Sequence, residues 1–321
     1  MPESRPDTPV TIETYLQKLR EELSGSDPAL MQDVLSDAED HLRAESEGLL
    51  EEDREAALAE IISRYGLPRE IADAYREYEH ARPAALPAPP PRPAGNPLQR
   101  FFGVIADPRA YAAYFYMLFS LVTGVFFFTW AVTGVALSLG LSLIIIGLPF
   151  FLFFLASVRA IAYVEGRLVE ALIGERMPRR PHQARIEGGI FRRALHWVAD
   201  PHTWSTIVYM FLKLPIGVLS FSIFITATAL SIGLLLYPLM QLVYPHPFIN
   251  AGSYQYWVPL PGQLAMSLLG FLGIFITLHL ARIGGTILGR LAKAMLVPGA
   301  PVAARKIYPS SPRSRHGVNP I

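Results

Sequence analysis

This sequence predicts an all-α, polytopic membrane protein with four transmembrane helices and a small helical domain in front of them. Three observations predict it. Leu214 to Ala281 runs 68 residues without one Asp, Glu, Lys or Arg, and Ala110 to Val158 runs 49. A helix crosses a bilayer with roughly 20 apolar residues, so each run holds two crossings and a turn. Charge is divided along the chain: residues 1–82 hold 21 acidic and 9 basic side chains, whereas residues 83–321 hold 6 and 19. Such asymmetry marks two modules in different surroundings. Residues 1–82, finally, place their apolar side chains at helical spacing. The chain has no cysteine, which excludes disulfides, thiol chemistry and Cys-based metal sites. Its acidic start lacks the basic-then-apolar pattern of a cleavable leader, so the first module is expected in the cytoplasm.

The helices of the first module follow from local rules. Tyr15, Leu16, Leu19 and Leu23 form one face, with Thr11 as N-cap and Glu13 favourably placed in the first turn. Asp27-Pro28 supplies a cap and a Pro at the first helical position of a second helix. Leu30, Val34, Ala38, His41 and Leu42 form its apolar face, with Asp33, Asp37, Asp40 and Glu45 outside that face. A third helix spans Glu51 to Tyr65 and stops at Gly66, and Pro68 opens a fourth with Ile71, Ala72 and Tyr75. The acidic surface argues against direct nucleic-acid binding, which needs Lys and Arg on phosphate. It reads either as a solvated face or as a docking face for a basic partner, with Asp33, Asp37 and Asp40 as the docking candidates. Residues 83–98 are Pro-rich and read as an extended spacer.

Residues 99–296 form the membrane module, with crossings expected at about 112–137, 141–163, 205–236 and 262–285. It reads as an internal duplication. At an offset of 93, Asp107-Pro108 matches Asp200-Pro201, Tyr116 matches Tyr209, and Gly124 matches Gly217. At an offset of 123, Arg159 matches Arg282 and Gly166-Arg167-Leu168 matches Gly289-Arg290-Leu291. The second copy therefore carries an insertion of 30 residues between its crossings. Each copy is a pair of crossings, so both are expected to share one orientation about an axis along the membrane normal. Arg159 to Arg193 is rich in Arg, and the insertion near 238–262 has no Lys or Arg. By the positive-inside rule, both termini and the central loop are expected in the cytoplasm of the inner membrane, with the insertion outside. Val164–Ile173 and Gly188–Ala199 are expected to lie along the inner surface as amphipathic helices, and residues 297–321 to form a disordered cytoplasmic tail. The basic face should attract anionic lipids and the acidic head.

No catalytic, cofactor or metal motif appears: no Ser/His/Asp pattern, HExxH or phosphate loop. The apolar core is expected to lack the ionisable residues of ion-coupled transporters. Lys213, about two turns into crossing three, is expected to snorkel to the interface. Pro149 and Pro215 are candidate kinks. Arg159 and Arg282 are candidates to clamp a lipid headgroup together, with His279 beside Arg282. In the uncharged, Pro-rich insertion, His246, Tyr254 and Trp257 are candidate ligand contacts, because loops commonly carry recognition.

Two resemblances add to this. The run Tyr65-Gly66-Leu67-Pro68-Arg69-Glu70-Ile71-Ala72, followed by Tyr75, resembles the small HAAS-type helical signalling domain. That implies a protein-interaction role, with a PadR-type transcription regulator as the partner class. Gly147-Leu148-Pro149, the Arg-rich loop and Asp200-Pro201 through Trp204 into Leu212-Lys213-Leu214-Pro215-Ile216-Gly217 resemble the four-crossing sensor domain of bacterial histidine kinases. After Leu296 only about 25 residues follow, so no kinase domain or phosphoacceptor His is carried over. The expected function is a non-enzymatic inner-membrane sensor that signals through its acidic head to a cytoplasmic regulator. A small-molecule or lipid transporter and a membrane anchor are the alternatives, and a homo-oligomer is compatible with each.

Overall fold

The computed structural model describes residues 11–47, 54–81, 96–141, 147–179 and 198–297. Most of the spacer, all but the last two residues of the surface helix expected at Gly188–Ala199, the arginines at 180, 185, 192 and 193, and almost all of the tail lie outside the described residues.

The N-terminal module is four helices: α1 (Ile12–Glu22), α2 (Pro28–Ser46), α3 (Arg54–Tyr65) and α4 (Pro68–Ala81). The Thr11 side chain accepts the Thr14 amide at 3.1 Å and Asp27 accepts the Ala29 amide at 2.8 Å, as the caps require. Tyr15, Leu19, Leu23, Val34, Ala38, Leu42, Ile62 and Ala72 are fully buried in one core. Gly66 sits at φ +118°, a conformation that a side chain rarely adopts, and so permits the tight link from α3 to α4. The Tyr15 hydroxyl donates to its carbonyl at 2.9 Å, tying α1 to that link. Burial pushes the Tyr15 phenol above its ordinary value, with Tyr65 and Glu70 adding to the shift.

A short helix α5 (Pro97–Phe102) and a 3-10 turn lead into the apolar module: α6 (Pro108–Leu141), α7 (Gly147–Ile173), α8 (Pro201–Val243) and α9 (Leu260–Leu296). All four are long and apolar enough to cross a bilayer. Asp107 accepts the Arg109 amide and Asp200 the His202 amide, each at 3.0 Å. One expectation is corrected here: Val164–Ile173 is no surface helix but the last three turns of α7, with Glu165, Gly166, Val169 and Glu170 buried. Between α8 and α9 the insertion folds into a hairpin, β1 (Ile249–Ala251) against β2 (Tyr254–Tyr256).

Contact register fixes the helix directions. Along α6 the partners on α8 run backwards. Tyr114 Oη meets Thr228 Oγ1 at 2.6 Å, Ser120 and Leu121 lie against Gly217, Gly124 lies against Lys213 and Leu214, and the Phe128 ring meets Phe211 at 5.6 Å. α6 and α8 are therefore antiparallel. α7 and α8 are parallel, since Arg159 reaches Asp200 and Thr203 while Glu165 reaches Tyr209 and Lys213. α8 and α9 form an antiparallel pair, with Ser267 on Leu235 and Ser205 on Met295. Copies sharing one orientation would set α6 and α8 parallel, so that part of the sequence reading is corrected. The C-terminal end of α6 and the β-hairpin lie at opposite ends of the α6–α8 pair. The physical reason is glycine packing. A Cβ on Gly124 would stand 2.6 Å from the Lys213 carbonyl oxygen, and one on Gly217 would stand 2.3 Å from that of Ser120. Only hydrogen at both sites lets the backbones approach this closely.

Candidate functional site

Where α6, α7 and α8 meet, the bundle buries a charge cluster. Glu165 is 0% exposed and Lys213 1%. Glu165 Oε1 accepts from Lys213 Nζ at 2.5 Å, Tyr116 Oη at 2.7 Å and Tyr209 Oη at 2.9 Å. Lys213 Nζ also reaches Tyr116 Oη at 2.7 Å and stands 4.5 Å from that ring's centroid. Burying two ions costs several kcal/mol each, and only close pairing with further hydrogen bonds offsets it. The two tyrosines supply those bonds from two different helices. Glu165 Oε2 is buried and has no hydrogen-bond partner among the described residues. Two expectations are thereby corrected. Lys213 does not snorkel, and the apolar module does hold an ionisable pair. At the same offsets, the counterparts of Lys213 and Glu165 are Ser120 and Leu288, so the pair exists once.

Around the cluster, two exchanged ion pairs join the helices. Arg159 on α7 binds Asp200 at the start of α8 at 2.9 Å. Arg282 on α9 binds Asp107 at the start of α6 at 3.1 Å. Each Arg thus meets an Asp-Pro cap that opens another helix. The structure gives each of these two lipid-clamp candidates its own carboxylate.

After Ile173 the chain turns at Gly174, φ +80°, and folds back along α7. Arg167 donates to the carbonyls of Met177 at 2.9 Å and Pro178 at 2.5 Å, and buried Met177 packs beside Gly166, the neighbour of Glu165. This folded-back segment carries the dock for the head. Arg176 pairs with Asp33 at 3.1 Å and with Glu79, and the Arg179 amide donates to Asp33 at 2.7 Å. Lys293, near the end of α9, bridges Asp27 at 2.6 Å and Glu175 at 2.9 Å. Burial works against the Arg176 charge, but the hydrogen bonds and charges of Glu79 and Asp33 outweigh it and hold its pKa above the ordinary value. A cavity of about 40 Å³ lies at the seam, lined by Gln32 of the head with Arg159, Tyr163, Met177, His202 and Leu296. The dock therefore adjoins the helix ends nearest the charge cluster.

Of the docking candidates, Asp33 is buried in this contact, Asp37 accepts the Tyr75 hydroxyl at 3.2 Å on its edge, and Asp40 is exposed. His279 is held by the Phe101 carbonyl at 3.1 Å and stacks on the Phe101 ring, apart from any shared clamp. His246 is pinned to the end of α8 through Gln241, and Tyr254 and Trp257 are 60% and 49% exposed on the hairpin. Glu165 was the residue the sequence reading passed over. The available signal was a carboxylate close behind an apolar run, with Tyr116 and Tyr209 matched at one offset.

No curated protein and no solved structure matches the chain. The family described as "Putative sensor" matches residues 116–296. That stretch is more than half of the chain and contains the whole charge cluster, both α8 and α9, and the head's docking cations, so this protein belongs to that sensor family.

Proposed function

We propose that this chain is a bacterial inner-membrane signal transducer whose acidic N-terminal head, a HAAS-type module in the cytoplasm, passes a membrane or extracytoplasmic signal to a cytoplasmic regulator. PadR-type transcription regulators are the partner class that the head's sequence suggests. One observation carries the proposal: the head is docked by Asp27, Asp33 and Glu79 on cations at the ends of α7 and α9. A change in helix packing at the glycine crossing would move those cations and so alter what the head presents. Such coupling requires two states with different contacts. The test is a pull-down from solubilised membranes, comparing full-length protein with a version lacking residues 1–82. A regulator retained only with the head supports the proposal, and identical partner sets refute it.

A second reading, transport of a small molecule or lipid, is favoured by a different observation. Antiparallel copies crossing at a buried charged cluster are an arrangement used for midplane substrate sites. Flux in proteoliposomes that is lost with Lys213→Met and retained without the head would favour it over signalling.

A further inference from the structure

The hairpin between α8 and α9 has two unlike faces. Ile249 pairs with Tyr256 and Ala251 with Tyr254, which puts these four on one face, while Asn250 and Gln255 pair on the other. On the apolar face Ile249 is 47% exposed, Tyr254 60% and Tyr256 43%, and the exposed rings of Phe248 and Trp257 flank the two strands at their open end. An open apolar strand pair of this kind is an association hazard in water.

The hairpin is also fixed in place. Gln241 Nε2 donates to the His246 carbonyl at 2.7 Å, the His246 amide donates back to Gln241 Oε1 at 3.2 Å, and the Tyr237 ring stands about 6 Å from those of His246 and Phe248. Any force on the hairpin is delivered to α8, the helix that carries Lys213.

Charge and length identify the occupant. No Asp, Glu, Lys or Arg lies between Leu214 and Ala281, so the surface offers nothing to a partner recognised by charge. Tyrosine and tryptophan combine an apolar body with a polar tip, the character suited to the headgroup boundary. From Leu260 to Ala281, α9 runs about 33 Å at 1.5 Å per residue, close to the roughly 30 Å of a hydrocarbon core. The Arg282–Asp107 pair stands at one end of that length and the hairpin at the other.

We propose that the hairpin is a lipid-binding surface. It lies in the interfacial layer with Ile249, Ala251, Tyr254 and Tyr256 toward the acyl chains and Asn250 and Gln255 toward water, and it is occupied by uncharged or zwitterionic lipid. Resting on the signalling reading above, this makes the bilayer itself the input. The lipid contact is measurable without reference to any signal output, so the two stand or fall separately.

The chain has no native cysteine, so single sites can be labelled in the full-length protein. Nitroxide labels on Tyr254→Cys, Tyr256→Cys, Asn250→Cys and Gln255→Cys would be placed in phosphatidylcholine nanodiscs, and collisions with oxygen and with a water-soluble nickel chelate compared. Oxygen should dominate at 254 and 256 and the nickel chelate at 250 and 255, a change of sign with the two-residue period. Nickel access at all four sites overturns the proposal. So does spin–spin broadening relieved by unlabelled protein, which assigns the face to a second copy. Because replacing a tyrosine could disturb the hairpin, Trp257→Phe gives a second readout. It should remove part of the tryptophan quenching caused by brominated phosphatidylcholine, and unchanged quenching also overturns the proposal.

Discussion

Removing one member of the buried pair should destabilise the bundle strongly. Lys213 and Glu165 are 1% and 0% exposed, so Glu165→Leu leaves an ammonium in an apolar interior with two tyrosine hydroxyls that have lost their acceptor. Losing one partner of a buried pair costs about 3–5 kcal/mol. For a chain of this size, roughly 2 °C of Tm per kcal/mol gives a fall of about 6–10 °C. Lys213→Met should cost a similar amount by stranding the carboxylate. The double variant, Glu165→Leu with Lys213→Met, restores an apolar pair like that at many helix contacts. Its loss should be smaller than the sum of the single losses by about 2 kcal/mol or more. The assay is thermal unfolding of purified full-length protein in detergent, followed by tryptophan emission. Additive losses, or single variants within 1 °C of the parent, would refute the argument that the two ions stabilise only each other.

Other predictions follow from the same contacts. Tyr116→Phe and Tyr209→Phe each remove one donor to a charged acceptor and should cost about 1.5–3 kcal/mol in the same melt. Gly124→Ala and Gly217→Ala insert a methyl against backbone at 2.6 and 2.3 Å and should destabilise by about 1–3 kcal/mol, whereas Gly140→Ala and Gly233→Ala meet nothing within 4 Å and should be neutral or mildly stabilising. Gly66→Ala, at φ +118°, should lower the stability of the head alone by about 1 kcal/mol or more, read as faster hydrogen exchange in α3 and α4 with α6 unchanged. Arg176→Glu should undock the head and raise hydrogen exchange around Asp33.

Much of the fold is legible in the sequence because local rules govern it. The caps at Thr11, Asp27, Asp107 and Asp200 are single-residue signals, and the apolar spans follow from composition. The split of charge between the head and the loops also anticipates the contact of Asp33 with Arg176. Helix direction is not legible: an offset of 93 pairs Gly124 with Gly217 whether the copies are parallel or inverted, and only the reversed run of partners from Tyr114–Thr228 to Phe128–Phe211 decides. Glu165 was hidden because it follows Arg159 in a stretch that reads as interfacial, and its partner is 48 residues away. The match of Arg159 with Arg282 is visible in the sequence, but their partners, Asp200 and Asp107, depend on tertiary placement.

The measurement that bears most directly on the central claim is partner capture from membranes by three proteins: the full chain, Arg176→Glu, and the chain lacking residues 1–82. If the docked head is the controlled output, a regulator should bind the full chain, bind Arg176→Glu in a different amount, and be lost without the head. One partner set in equal amounts for all three would contradict the account.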